Sequence, residues 1–522
     1  MRADPAGRDS RGDRPAPISR RARIRHALGV HAAAALLVCA AAAPAIAATY
    51  SRPQPLEIGF EDERLLLGDP QGAPGLLAQW SALGVKVVRL HAQWWTIAPQ
   101  RRPPGFRAAD PADPHYDWTA LDRAVASVRA AGLTAMLTVT GPGPLWTSGA
   151  PARQNARWEP SPTEFGRFAH AVAARYRDQV DRYLVWNEPN QPGWLQPQNA
   201  CVGRVCTPVA PHLYRALVRA AVPQIHTADP GSQVLLGELA PVGSPLHSRS
   251  SPIAPLPFLR AMACVDARYR PLHGGPCAGF KPAAADAFGY HPHPKLHAPD
   301  QPNPNRDEAQ IADLGRLLGV LDRLKGRLDA PGGVYLTEFG YQTSPPDLVS
   351  GISLPLQARY LQQASYIAWR NPRIRSLSFY QWDDEPVLSR GRGTRAYSGW
   401  QSGLRFVTGR AKPALSTFQA PFVIDLRARV AWGQVRPAAS PVVTLMERPP
   451  GATTFQDVAQ ATTGADGSFA LGIAPDAGAS YEYRWTPAPT LADPMPAPRL
   501  SGIVDLSVPQ KTSLRAATAP AQ

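Results

Sequence analysis

The chain has 522 residues, enough at roughly 150 per domain for three or four units, or for one large barrel with additions. Apolar residues make up 44% and charged residues 18%, so a sizeable core can be buried and general disorder is excluded. The net charge of +15 invites a nucleic-acid reading, but residues 1–25 alone hold eight Arg against three Asp. The remaining basic residues are dispersed, with no Lys/Arg stripe interleaved with aromatics, so nucleic acid is not an expected partner.

Residues 19–25 are basic, the run from Ala27 to Ala43 is apolar, and Ala45-Ile46-Ala47 has the small-x-small form of a cleavage site. Residues 1–47 therefore read as a secretory signal peptide. The Arg20-Arg21 pair admits twin-arginine export. A retained anchor is the alternative, although the apolar run is short for a span of ~20 residues. The mature protein is expected outside the cell or at its surface, with no membrane contact after cleavage and as a monomer. Cys39 leaves with the signal, and Cys201, Cys206, Cys264 and Cys277 remain, an even number in an oxidising compartment. Three pairings are open, and proximity favours Cys201–Cys206 with Cys264–Cys277. A zinc site is disfavoured, because no Cys-x-x-Cys or Cys/His ligand spacing occurs.

From residue 56 onward, apolar strand-like runs alternate with helical patterns. The runs are Leu56–Phe60, Lys86–His91, Thr134–Thr140, Arg182–Asn187, Gln233–Glu238, Asp286–His291, Val334–Glu338 and Ser376–Gln381. Between them fall helix signals at Gly75–Leu83, Trp118–Ala131, Pro162–Tyr176 and Arg306–Leu328, the last with leucines at three- and four-residue steps. Eight β-then-α units predict an α/β fold, a (β/α)8 TIM barrel over residues 50–420. A doubly wound sheet lacks support, since no glycine-rich nucleotide fingerprint follows any strand. After Lys412-Pro413 the texture changes to alternating runs between Gly, Pro and Asp turns. This predicts a small all-β sandwich over residues 421–515, either a glycan-binding module or, favoured, a spacer or stability module, and a disordered tail at 516–522.

Active residues of such a barrel sit at the C-terminal ends of its strands. Those ends carry Arg89 and His91 on the second strand and Asn187-Glu188-Pro189 on the fourth. His291-Pro292-His293 follows the sixth, Glu338 ends the seventh, and Trp382 follows the eighth. Trp146 lies in the loop after the third. A carboxylate is costly at the end of an apolar strand unless it has a task or a partner, and Glu188 and Glu338 end strands on one rim. Glu238, Asp383, Asp384 and Glu385 lie nearby and read as loop or subsite residues. Two facing carboxylates are the equipment of glycosidic bond cleavage, one protonating the departing oxygen and the other attacking or activating water.

On these residues the stretch from about 56 to 420 resembles the retaining glycoside hydrolases of clan A, nearest in texture to families 39 and 5. The resemblance implies that Glu188 is the acid/base and Glu338 the nucleophile, with Arg89 supporting it. It further implies that Asn187 contacts the sugar hydroxyl next to the reacting carbon and Trp382 forms the sugar platform. His91, Trp146, His291 and His293 complete the expected substrate-binding set. Tyr116-Asp117-Trp118 with Leu121-Asp122 matches the stretch that opens a helix in several clan families. One departure stands out: many members place His-x-Tyr after the sixth strand, where this chain has His291-Pro292-His293. The implied substrate is a poly- or oligosaccharide, with no metal and no cofactor. A competing reading from another class is a barrel that binds surface glycan without cleaving it.

Overall fold

The computed structural model describes residues 52–388, 391–438, 442–489, 495–509 and 512–518. The expected export segment at 1–47 lies outside them. Eight strands occupy the predicted runs: β1 (Glu57–Glu61), β2 (Val87–Gln93), β3 (Thr134–Thr140), β4 (Arg182–Val185), β5 (Gln233–Leu239), β6 (Ala287–Tyr290), β7 (Val334–Phe339) and β8 (Ile374–Tyr380). The principal helices that follow them in turn are α1 (Ala73–Ala82), α2 (Thr119–Ala130), α3 (Pro162–Arg175), α4 (Ala210–Ala228), α5 (Pro255–Met262), α6 (Leu314–Leu324), α7 (Leu354–Arg370) and α8 (Pro413–Gln419). All eight strands pair in parallel and in sequence order, and β8 closes on β1 with Tyr380 beside Glu61. The barrel is closed.

The strands read as unbroken apolar runs because helices cover their outer face and side chains fill the inner one. Val87, Met136, Leu184, Leu235, Ala287 and Tyr335, from six different strands, form one buried cluster, which only the barrel interior permits. Side chains alternate with period two, so Arg89, Thr138, Gly289 and Thr337, two residues further along their strands, face the same interior. The filling thus changes from apolar to polar toward the C-terminal rim. Outside, α3 begins where Ser161 accepts a hydrogen bond from the Glu164 amide (3.3 Å) with Pro162 at the first helical position. In α6, Leu314, Leu317, Leu318 and Leu324 turn one apolar stripe inward.

The C-terminal part is a two-sheet β-sandwich, as expected. Its first sheet orders β9 (Phe422–Asp425), β10 (Val430–Gln434), β13 (Ser468–Gly472) and β17 (Leu514–Ala516) as β13-β10-β9-β17. The second orders β11 (Val442–Arg448), β12 (Gln456–Thr462), β14 (Ser480–Trp485) and β15 (Arg499–Leu500) as β12-β11-β14-β15, with β16 (Val504–Asp505) also on β14. Ala516 pairs with Val423, Ala517 is fully buried, and the Thr518 amide donates to Ile503 O at 2.9 Å. Residues 516–518 therefore belong to the sandwich rather than to the frayed tail expected there, because a sheet edge is available to pair them. Residues 519–522 lie outside the described set.

The sandwich is welded to the barrel. Trp432 of β10 lies fully buried between Tyr366 and Trp369 of α7, with ring centroids 5.6 and 5.9 Å away. Gln362 and Gln363, both buried in α7, donate to Ala517 O and Leu514 O at 2.9 and 2.8 Å. Trp432, Val423 and Leu514 belong to the same apolar cluster as the barrel wall. Both predicted disulfides, Cys201–Cys206 and Cys264–Cys277, are present. No helix among the described residues is long and apolar enough to cross a membrane.

Trp432→Ala should cost about 3–5 kcal/mol, the usual loss for truncating a buried aromatic. Because the seam is shared, barrel and sandwich should melt in one transition, with both lowered together in the variant. Calorimetry showing two transitions, with only the smaller one shifted, would contradict this.

Candidate active site

Arg89 organises the site. It lies on the inward-facing row of β2, is wholly buried, and donates to groups from five other strands or their ends. Its Nη1 serves both Glu61 at the end of β1 and Glu338 in β7, the latter at 2.8 Å. Its Nη2 serves Glu238 in β5 and Asn187 Oδ1 after β4, the latter at 2.7 Å, and Nε donates to Thr138 Oγ1 of β3 at 2.8 Å. The fork of five N–H donors lets one side chain do this, which a lysine could not.

Room for these carboxylates is built into the backbone. A Cβ on Gly289 would collide with Glu238 Oε1, so β6 carries glycine where Glu238 crosses the interior. Strand β4 ends at Val185, and Trp186 and Glu188 then take left-handed conformations, φ 68° and 37°. Glu238 does likewise at φ 50°. Such conformations cost on the order of 1–3 kcal/mol each for residues with a side chain and persist where surrounding structure enforces them. Here they lift the carboxylates out of the strand ladder and aim them at the cleft.

Two histidines after β6 complete the cluster. His291 Nδ1 stands 3.0 Å from Glu188 Oε1 and 3.5 Å from Glu338 Oε2, and its Nε2 is 3.6 Å from Glu238 Oε2. His293 Nε2 stands 3.4 Å from Glu338 Oε2. One donor atom each of Glu188, His291 and Glu338 lie within 4.8 Å of one another. The Glu188 side chain keeps a 20% exposure, whereas that of Glu338 has 9%.

The electrostatics follow from these contacts. Burial alone would raise the Glu338 pKa, but His291, His293 and Arg89 together hold it far below the ordinary carboxylate range. Burial opposes the charge on His291, yet Glu338, Glu188 and Glu238 raise its pKa to about 10. Glu238 is burdened by burial and brought below its usual value by Arg89 and His291. Glu61 moves upward, because burial and the neighbouring Glu338 outweigh its share of Arg89.

Of the residues expected from sequence, Arg89, Asn187, Glu188, His291, His293 and Glu338 converge. His91 stands at the edge, its Nδ1 3.2 Å from Glu63 Oε1 and its ring stacked on Trp194 at 6.2 Å. Trp146 packs elsewhere, against Phe106 and Arg102, with Nε1 donating to Pro99 O at 2.9 Å. Trp382, expected as the sugar platform, is 2% exposed and packs edge-on against Phe60 and Trp80. It is a core residue, because its side chain turns into the apolar wall behind β1. The half-buried rings at the site are Trp194 and Trp400, the latter 4.8 Å from the His293 ring. Sequence reasoning missed Glu61, Glu63, Trp194 and Trp400, and placed Glu238 on the rim. Glu61 was detectable by the rule that found Glu188: a carboxylate ending an apolar strand.

A cavity of about 180 Å3 opens between Glu61, His91, Trp194, Tyr380 and Gln381. Larger hollows of about 450 and 280 Å3 lie at the barrel–sandwich seam around Arg52 and Pro53, and neither contains a facing pair of acids. The sets Glu188–His291–Glu338 and Glu61–His91–Glu338 have the spacing to hold a cation. Arg89 already places a fixed positive charge on Glu61 and Glu338, and a metal at the first set would displace the His291 proton. At the third such set, His212–Cys264–Cys277, both sulfurs are committed to a disulfide.

By sequence, no protein-family profile and no characterised protein matches the chain. By structure it is similar to a family 39 glycoside hydrolase from the gut symbiont Bacteroides cellulosilyticus WH2, at 12% identity over 81% of each chain with a TM-score of 0.48. It is also similar to a glucosidase from Croceicoccus marinus, at 13% identity over 88% of this chain and 84% of that one, TM-score 0.45. A family 39 β-xylosidase from Caulobacter crescentus aligns at 14% identity over 82% of this chain and 98% of its own, TM-score 0.45. Likeness at this level carries no information about substrate or chemistry.

The His291 proton should be visible in stability. Its folded pKa of about 10 lies above the unfolded value of ~6.5. The stabilisation is therefore complete below pH ~6.5 and is lost as pH rises toward about 10. The Tm advantage of the wild type over His291→Gln should shrink across that window. A gap that stays constant or widens with pH would show that His291 is not held protonated.

Proposed function

We propose that this protein is a retaining glycoside hydrolase, exported and acting on a poly- or oligosaccharide. The observation that carries the reading is the approach of Glu188 and Glu338, whose nearest carboxylate oxygens lie within 4.8 Å of each other across His291. Direct attack by a carboxylate suits carboxyl groups ~5–5.5 Å apart, whereas activation of an intervening water needs ~6.5–9.5 Å. A nearest-oxygen approach within 4.8 Å accords with the shorter of these separations.

The environments support distinct roles. Glu338, ionised under Arg89, His291 and His293, is the nucleophile and attacks the anomeric carbon. Glu188 has no arginine partner, keeps the greater solvent exposure and stands 3.0 Å from His291 Nδ1, so it takes up the His291 proton and passes it to the leaving oxygen. After Glu338 is esterified, Glu188 accepts a proton from the water that enters by the same opening. Asn187 Oδ1 accepts a hydrogen bond from Arg89 Nη2, which leaves the Asn187 amide N–H groups for a sugar hydroxyl. Trp194 and Trp400 take the stacking role in place of Trp382. Two disulfides, one of them in an exposed hairpin at residues 199–208, accord with an oxidising compartment.

Proton NMR on the first turnovers should find the retained anomer first. Glu338→Gly should abolish turnover on every substrate, and azide should restore a product of inverted configuration. Glu188→Ala should lose about 10²–10⁴-fold on ordinary glycosides, keep slow cleavage of activated aryl glycosides, and give a retained azide adduct. An inverted anomer appearing first in the wild type would remove Glu338 from the nucleophile role.

A further inference from the structure

Lys412 is a buried cation that the catalytic cluster does not use. It stands directly before α8, fully buried, at the end of the connection that leaves β8. Its ammonium donates to Asp384 Oδ1 at 2.7 Å, to Thr343 Oγ1 at 2.8 Å and to the Gln401 carbonyl at 3.2 Å. All three N–H donors of the group are thereby engaged. Asp384 is 1% exposed and also accepts the Gly403 amide at 3.0 Å. The other acid nearby, Asp383, is held by Arg405 at 2.5 Å.

These partners belong to two loops that border the site. Thr343 lies after β7, the strand that carries Glu338, whereas Asp384, Gln401 and Gly403 lie in the connection from β8 to α8. The loops also meet directly: the Thr343 amide donates to Gln401 O at 3.1 Å, and a Cβ on Gly340 would collide with Tyr380 O. Trp400, next to Gln401, accepts the Glu385 amide on its carbonyl at 2.8 Å. Its half-buried indole stands 4.8 Å from the His293 ring and 5.4 Å from that of Tyr380. His293 in turn stands 3.4 Å from Glu338. The backbone gripped by Lys412 is therefore the backbone that presents an aromatic ring beside the His293–Glu338 pair.

Stability alone gives no reason for this pair, because apolar side chains of the same volume would hold a core at least as well. What the ammonium supplies is direction: three acceptors from two loops are fixed around one atom. The connection from β8 to α8 needs such a fixture, since long irregular connections are the mobile parts of a barrel. Its one helical turn among the described residues is Gly393–Tyr397. We propose that Lys412, through Asp384, Thr343 and Gln401, is a positioning residue that holds Trp400 in place as the wall on which a sugar ring stacks. A wall held beforehand loses little freedom when the sugar arrives, so the pair acts on binding and leaves the reacting acids alone. The proposal rests on the hydrolase reading for the stacking partner, and its test is separable from that reading.

Lys412→Met alone would strand the Asp384 carboxylate, so the test variant is Lys412→Met/Asp384→Asn. Thr343→Val strands no charge and is the second variant, so misfolding of one leaves the other to decide. On the aryl glycoside that the wild type cleaves best, the double variant should raise KM about tenfold and leave kcat within about twofold. Thr343→Val should shift KM the same way by less. Trp400→Ala should raise KM at least as far, and adding the double substitution to it should raise KM no further, because the clamp acts through that ring. Additive effects, or a loss confined to kcat, overturn the proposal. Incorporation of 5-fluorotryptophan into the full chain gives a readout without substrate, the Trp400 fluorine signal being identified by its loss in Trp400→Phe. That signal should move or broaden in both variants, while those of the buried Trp80 and Trp432 stay. An unmoved Trp400 signal overturns the proposal. A displaced Trp400 signal in a protein that cleaves no glycoside would uphold the clamp and sink the hydrolase. Retaining cleavage with KM and the fluorine spectrum unchanged by either variant would do the reverse.

Discussion

One guanidinium carries the polar end of this barrel. Arg89 is fully buried, and an isolated charge there would be expelled from any stable structure. It survives because Glu61, Glu238 and Glu338 surround it and Asn187 and Thr138 take its remaining donors. Each of those groups comes from a different strand, so satisfying one side chain fixes the relative positions of β1, β3, β4, β5 and β7 at their C-terminal ends. The gain is geometric rather than energetic, since buried ion pairs seldom exceed the stability of apolar packing of equal volume. Removing Arg89 would leave three carboxylates facing one another.

The barrel makes space for this cluster by dividing its interior along the strand axis. The floor is a tight cluster from six strands, and the layer above it gives up side-chain volume at Gly289 to let Glu238 in. The left-handed residues Trp186, Glu188 and Glu238 lie at this same level. Within the barrel interior, local preference is violated where the apolar floor ends, and the surrounding strands hold the violations in place. Functional sites are where such conflicts between local and global preference are expected.

The pattern of legibility follows from what periodicity can and cannot report. All eight barrel strands could be read because burial on both faces writes a continuous apolar run, and the strand-end rule then delivered Arg89, Glu188, Glu338 and His291. Glu61 obeys the same rule but follows a short strand with Asp62 and Glu63 beside it, so it blends into an acidic turn. Glu238 is concealed differently: its inward aim depends on a left-handed backbone and on the missing Cβ of Gly289, fifty residues away in sequence. Trp382 illustrates the opposite failure. Its position after β8 is right for a platform, but orientation is set by Phe60 and Trp80, which no local pattern reveals. The weld between α7 and the sandwich was likewise hidden, because buried glutamines such as Gln362 and Gln363 read as an ordinary polar helix face.

The arrangement also bears on how the charge of the site stays balanced through the proposed reaction. A nucleophile that becomes an ester loses its charge, and a guanidinium that depended on it alone would then be buried without a partner. Arg89 does not depend on Glu338 alone: Glu61 shares the same Nη1, and Glu238 holds Nη2. Esterification also takes away the neighbour that helps to push Glu61 upward, so Glu61 becomes easier to ionise when Arg89 needs it. His291 meanwhile loses its contact with the charge on Glu338 and retains those with Glu188 and Glu238. Its ring then stands beside Glu188 at the step where Glu188 must take a proton from water. On the proposed mechanism the surplus acid beside Glu338 is therefore no redundancy; it keeps Arg89 paired, and the strand ends in register, while Glu338 is esterified.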